Sequence, residues 1–124
     1  MAITSPNTGK KQFDLEDRTE KFADDVRKFV KRLSRTFGNT QDIPQLVRAS
    51  GSPAANYIEA NEALGKKDFL MKIRTCRREA KESGLWLRLM DVGDNSAIEK
   101  ERQRLNQEAK ELELIFGSIL RNSQ

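Results

Sequence analysis

The sequence predicts an all-α protein, an antiparallel up-down four-helix bundle, and three observations carry that prediction. Apolar residues recur at alternating steps of three and four along four long stretches, the repeat of one helix face. Only three prolines and seven glycines occur in 124 residues, which leaves room for few turns and makes the elements between them long. Charged residues make up 34% and aromatics 6%, the balance of amphipathic helices with solvated outer faces rather than of a sandwich or barrel. No stretch combines strict alternation with β-branched or aromatic enrichment, so no strand is expected.

Residues 1–12, with Ser5, Pro6, Asn7, Thr8, Gly9, Lys10 and Lys11, hold too little apolar surface to order themselves and read as a flexible tail. The bundle domain is expected over 13–124. In the first helix Leu15, Phe22, Val26, Phe29, Val30, Leu33 and Phe37 fall on one stripe, and Gly38-Asn39 is the expected stop. Its acids precede its bases, the order that the helix dipole favours. The second helix is expected to be capped by Thr40 or Asp42, with Pro44 in its first turn. It should turn Ile43, Leu46, Val47, Ala54, Ala55, Ile58 and Ala60 inward and kink at Gly51-Ser-Pro53.

The third helix is expected from about Lys66 to Met90, with Phe69, Ile73, Cys76, Ala80, Leu87 and Met90 on its core line. Val92-Gly-Asp-Asn95 breaks it. Ser96-Ala-Ile-Glu99 then reads as a capping box opening the fourth helix. There Ile98, Leu105, Ala109, Leu112, Phe116 and Ile119 follow a nearly strict heptad, interrupted by Arg102. Short loops between helices of similar length force sequence neighbours to run antiparallel.

Several chemistries lack their parts. The chain has no histidine, hence no Ser-His or Cys-His pair, and no glycine-rich phosphate loop of the Walker type. Neither catalytic residues nor a metal or cofactor are expected. Glu59, Glu62, Glu79 and Glu82 invite comparison with di-iron bundles, but those need a histidine three residues after a glutamate. Cys76, the lone cysteine, excludes a disulfide framework and sits on a core line, the place of an inert thiol. With no long apolar run and no apolar secretory core in the opening residues, the expectation is a cytoplasmic protein without membrane contact.

The third helix has two further faces. Lys67, Arg74, Arg77, Arg78, Lys81 and Arg88 gather on an arc roughly opposite the core stripe, in a chain of net charge +4 and pI near 9.4. Such a row neutralises successive phosphates of a nucleic acid; the other reading is a solvated face balanced by acids elsewhere. Leu70, Met71, Leu85, Trp86 and Leu89 lie off the core line and suggest a subunit interface. A central helix with a wide buried arc is the alternative.

The motif Ser50-Gly-Ser-Pro-Ala-Ala-Asn56-Tyr-Ile-Glu59-Ala60, followed by Phe69 and by Glu79-Ala-Lys-Glu82-Ser-Gly-Leu-Trp86-Leu-Arg-Leu89, resembles a known family. It is similar to the four-helix bundle proteins encoded in intervening sequences of bacterial 23S ribosomal RNA genes. The resemblance runs from Phe13 to about Asn122 and departs at Pro53, where many members carry valine or isoleucine. It implies ring-shaped homopentamers and a distant relation to the accessory variability proteins of diversity-generating retroelements, which bind nucleic acid and a reverse transcriptase. It supplies no catalytic residues. Asn56 and Glu59 are expected to cap or bridge the kink, and Glu79 and Glu82 to pair with nearby bases. The resulting expectation is a non-enzymatic homo-oligomer that binds RNA or DNA through the basic face. The alternative is a scaffold that recruits a nucleic-acid enzyme such as a reverse transcriptase, and a metal or small-ligand enzyme comes third.

Overall fold

The computed structural model describes residues 10–123, which form four helices: α1 (Lys10–Val30), α2 (Phe37–Asn61), α3 (Lys66–Leu89) and α4 (Ser96–Ser123). Among the described residues there is no strand. The tail expected over 1–12 lies, up to residue 9, outside the described residues, and α1 already includes Lys10, Lys11 and Gln12. Each helix packs on two others, in the circular order α1, α2, α3, α4 and back to α1. Cross-helix pairs fix the directions. Arg48 meets Glu79 while Glu59 meets Lys72, and Arg18 meets Glu108 while Asp25 meets Arg104. Rising numbers on one helix meet falling numbers on its neighbour, as an antiparallel bundle requires.

The apolar stripes enclose one core. Phe22, Val26 and Phe29 of α1, Leu46 of α2, Ile73 and Leu87 of α3, and Leu105, Leu112 and Phe116 of α4 are fully buried. Each such side chain stabilises the fold by roughly 1.5–3 kcal/mol through removal from water. Tyr57 packs on Phe116 with ring centroids 5.8 Å apart and planes tilted by 59°. Buried hydroxyls bond to their own helix, Thr19 to the Leu15 carbonyl at 2.9 Å and Ser83 to that of Glu79 at 2.9 Å, so they enter the core without an unpaired polar atom. Cys76 is buried and its thiol donates to the Pro53 carbonyl; burial pushes its pKa up to about 12, so no thiolate forms at neutral pH.

Several expectations are corrected by the structure. α1 ends at Val30, not at Gly38-Asn39, because Arg35 donates its guanidinium to the carbonyls of Val30 and Leu33. α2 then starts at Phe37, capped by Thr36, whose hydroxyl accepts from the Asn39 N–H at 3.1 Å. Phe37 therefore stands 83% exposed instead of closing the α1 stripe. Asn39, expected to stop a helix, is buried. Its amide donates to the Ser34 and Asp91 carbonyls and its oxygen accepts from the Asp91 N–H, each at 2.9 Å, which pins the α1–α2 loop to the α3–α4 loop.

α2 is assigned as one unbroken helix through both prolines. Pro53 is itself a core residue, on the line Leu46, Ala49, Ser50, Pro53, Tyr57, Ala60. Keeping that line in register turns Ile58 and Ala55 out to solvent, against the expectation that they face inward. Finally, α4 is capped by Asn95, whose side chain accepts from the Ile98 N–H at 3.0 Å, and not by Ser96. Glu99 turns to Arg102 and Gln103 instead of closing a capping box. Arg102, the polar residue on the α4 core line, donates to the Met90 carbonyl at 2.7 Å and so closes the C-terminus of α3.

Candidate nucleic-acid interface

α3 packs against α2 on one side and α4 on the other, and its buried arc is correspondingly wide: Ile73, Cys76, Glu79, Ala80, Ser83, Gly84 and Leu87. Two of the apolar residues expected at a subunit interface are partly buried in this arc, Leu70 and Trp86. Met71, Leu85 and Leu89 are 55%, 41% and 55% exposed. Their spacing places them on one line along the outside of α3. The Trp86 indole N–H is buried without an acceptor among the described residues.

The motif acids are engaged on the α2 side. Arg48 bridges Glu79 at 3.2 Å and Glu82 at 3.3 Å, and Lys72 bonds Glu59 at 2.7 Å. Asn56 donates to the carbonyl and hydroxyl of Ser52, one turn earlier in the same helix. Phe69 is partly buried against the core. The Arg48 and Lys72 pairs tie α2 to α3. Among the described residues no group of three or more acidic or cysteine side chains is placed to hold a metal ion, and no helix is long and apolar enough to cross a membrane.

All six basic residues of the α3 arc, Lys67, Arg74, Arg77, Arg78, Lys81 and Arg88, are exposed. Arg74, Arg77, Arg78 and Lys81 line one open groove of about 710 Å³ along the α3–α4 seam, together with Gly117, Leu120 and Arg121 of α4. A second depression of about 220 Å³ continues along the same seam, sharing Lys81 and adding Arg88, Asn106, Lys110 and Glu113 among its walls. Lys67 lines neither. Among the described residues, no carboxylate lies within 4.0 Å of the charged nitrogens of Lys67, Arg74, Arg77, Lys81 or Arg121. Arg78 has a long contact of 3.7 Å to Glu79, and Arg88 donates to Asn106 at 3.2 Å.

Two glycines lie along this seam. A methyl group at Gly84 would meet Arg88 Nη1 at 3.0 Å and Asn106 Oδ1 at 3.2 Å, and one at Gly117 would meet Arg77 Nε and Arg121 Nη1 at 3.6 Å each. Lys110 and Arg121 were missed by reading α3 alone. They are eleven residues apart, three helical turns, and so share a line on α4; that spacing was the available signal.

The fold and site define a four-helix bundle with one cation-lined seam. Among solved structures it is similar to a protein of unknown function from the S23 ribosomal protein family of Bacteroides thetaiotaomicron, with a TM-score of 0.74 and 24% identity over 86% of this chain and 97% of that one. At that identity the likeness concerns the fold. No protein-family model and no curated protein matches the chain.

Proposed function

We propose that this chain is a non-enzymatic, self-associating four-helix bundle that binds RNA or DNA through the basic face of α3. The observation that carries the reading is the set of cations Arg74, Arg77, Lys81 and Arg121 gathered in one groove without carboxylate partners. Phosphate oxygens supply the missing counter-charge, and guanidinium groups match them with paired hydrogen bonds. A row of exposed cations contacts phosphates whatever the base sequence, so the expected binding is through the backbone and without strong sequence preference. The resemblance of the motif around Asn56, Glu59 and Trp86 to intervening-sequence proteins, which implies a ring of five subunits, agrees with self-association.

Electrophoretic mobility shift at low and moderate salt tests the reading. The wild type should shift a nucleic-acid probe at low salt and lose it as salt rises, and charge reversal at Arg74, Arg77 and Arg78 should abolish the shift. No shift by the wild type at low salt sinks the reading. A second reading rests on Met71, Leu85, Leu89 and the unpartnered Trp86 N–H: an apolar stripe that seats a protein partner, such as a reverse transcriptase, with the basic face merely solvated. Co-purification with a nucleic-acid enzyme, by a protein that ignores free nucleic acid, would favour it. Light scattering decides self-association, and a monomeric mass removes that part of the proposal.

A further inference from the structure

We infer that the bare helix backbone at Gly117 is the seat of one backbone phosphate, clamped between Arg77 of α3 and Arg121 of α4. The inference rests on the nucleic-acid reading and deepens it, because it adds a second helix to the interface and names one position within the basic groove. The place where a Cβ of Gly117 would stand lies 3.6 Å from Arg77 Nε, 3.6 Å from Arg121 Nη1 and 3.9 Å from Arg77 Cδ. Two guanidinium groups from different helices thus converge on one point, and nothing anionic stands between them. The carboxylate on this seam, Glu113, lies beside Lys110 at 3.8 Å and lines the neighbouring depression instead. Arg74, Arg78 and Lys81 complete the groove, and Leu120 lies on its apolar wall.

Like charges brought together at a surface repel, and a tetrahedral oxyanion that accepts from both forks turns that repulsion into two charge-assisted bonds. Gly117 is buried at the floor of the groove beneath the two arginines, and a methyl there would raise that floor where the anion rests; glycine stands at this position although glycine inside a helix is unfavourable relative to alanine. The occupant is a phosphate within a strand rather than a free one. The groove of about 710 Å³ is far larger than a single phosphate, and its cations continue into the next depression through Lys81 to Arg88 and Lys110.

The test uses the full chain, a labelled oligothymidine strand and fluorescence anisotropy at several salt concentrations. Gly117→Ala is the diagnostic variant: it keeps every charge, its methyl makes only ordinary contacts at 3.6 Å, and its melting temperature should equal or exceed that of the wild type. It should nevertheless weaken binding by roughly fivefold to tenfold, the loss of one charge-assisted contact. Arg121→Gln should weaken binding to a similar degree and reduce the slope of log K against log salt by about 0.7, one phosphate of a single strand. Lys67→Gln, outside the groove, should do markedly less.

If Gly117→Ala and Arg121→Gln bind like wild type while reversal at Arg74, Arg77 and Arg78 abolishes binding, the Gly117 seat is wrong and the nucleic-acid reading survives. A wild type that binds no strand at low salt overturns both. Inorganic phosphate titrated against the ¹⁵N signals of the arginine side chains separates the two sources of the same anion. Saturating shifts at Arg77 and Arg121 in a protein that ignores the strand would reassign the seat to free phosphate.

Discussion

α4 offers cations or acids to both of its neighbours, and its two seams differ in how those charges are matched. Along α1, Arg18 bonds Glu108 at 2.7 Å and Glu111 at 2.8 Å, and Arg104 bonds Asp25 at 3.0 Å and Glu101 at 2.7 Å. Along α3, Arg77 and Arg121 meet over Gly117 with no such acid. The first seam is closed on itself: both arginines have their pKa raised, chiefly by the hydrogen bonds from Arg18 to Glu108 and from Arg104 to Glu101. The second is an open half of an ion pair. In water each like-charge contact at several ångströms costs less than about 1 kcal/mol. The fold bears that cost readily, and an external anion relieves it. Charge that is matched inside the chain belongs to stability; charge that is left unmatched is available for a partner.

Moving charge on the open seam gives the largest expected effect. Reversal of Arg74, Arg77 and Arg78 together should lower nucleic-acid affinity by at least about a hundredfold at low salt. The melting temperature should stay within about 2 °C of wild type, since the three side chains are exposed. The closed seam should answer in the opposite way. Truncating Arg18 and Arg104 to alanine breaks four partly exposed contacts, and the combined cost should be about 1–2 kcal/mol after screening by solvent. That corresponds to a fall in melting temperature of roughly 4–8 °C, with binding unchanged in anisotropy titrations. If the double variant loses binding in proportion to stability, the two seams are not separate and the comparison fails.

Much of the closed architecture was readable in the sequence. The stripes of Phe22, Val26 and Phe29 and of Leu105, Leu112 and Phe116 require only helical spacing, and these residues are buried where the spacing places them. What escaped were positions decided by partners distant in the chain. Asn39 looks like a helix stop until Asp91, fifty-two residues away, is seen to bond with it twice. Pro53 looks like a break until its ring is found in the core, where the burial on its line also sets Tyr57 inward and Ile58 outward. The basic arc of α3 was visible by its own periodicity. Its α4 half was not, because no local pattern tells which face of α4 borders α3. Arg18 illustrates the same limit, since it is as basic as Arg121 by composition and is matched only through Glu108 and Glu111 on another helix.

Acid separates the seams by a smaller effect. The carboxyls of Glu101 and Glu111 are held below the usual glutamate value, Glu101 first by its bond from Arg104 and Glu111 by bonds from Gln107 and Arg18. For Asp25 burial acts upward, and the bonds from Arg104 and Lys21 outweigh it, so its pKa is lowered as well. A depressed folded pKa means that the unfolded chain binds more protons in the window between the two values. The stability from these pairs is complete above the ordinary carboxylate range, near 3.8 for Asp25 and 4.5 for the glutamates, and is lost as pH falls through the lowered values. Melting followed from neutral pH down to pH about 3 should therefore fall more steeply in wild type than in the variant lacking Arg18 and Arg104. Parallel curves would show that the pairs add nothing. Binding, which depends on arginine and lysine in a chain without histidine, should not change between about pH 6 and 8.

The smallest expected effect concerns Gly84 on the open seam. Gly84→Ala introduces a methyl 3.0 Å from Arg88 Nη1 and 3.2 Å from Asn106 Oδ1, tighter than most carbon contacts, yet both atoms are ends of side chains that can swing aside. Alanine gains roughly 0.8–1 kcal/mol of helix propensity over glycine. Against this stand the Arg88–Asn106 bond, which is exposed and weak, and the displacement of both side chains. The two sides nearly cancel, so the melting temperature should remain within about 3 °C of wild type. Arg88 should be released toward solvent with its charge intact, and strand binding should be retained. A fall of more than about 5 °C would mean that the close approach of α3 to α4 cannot yield. In that case Gly84 would serve packing of the open seam, which would then be as structurally committed as the closed one.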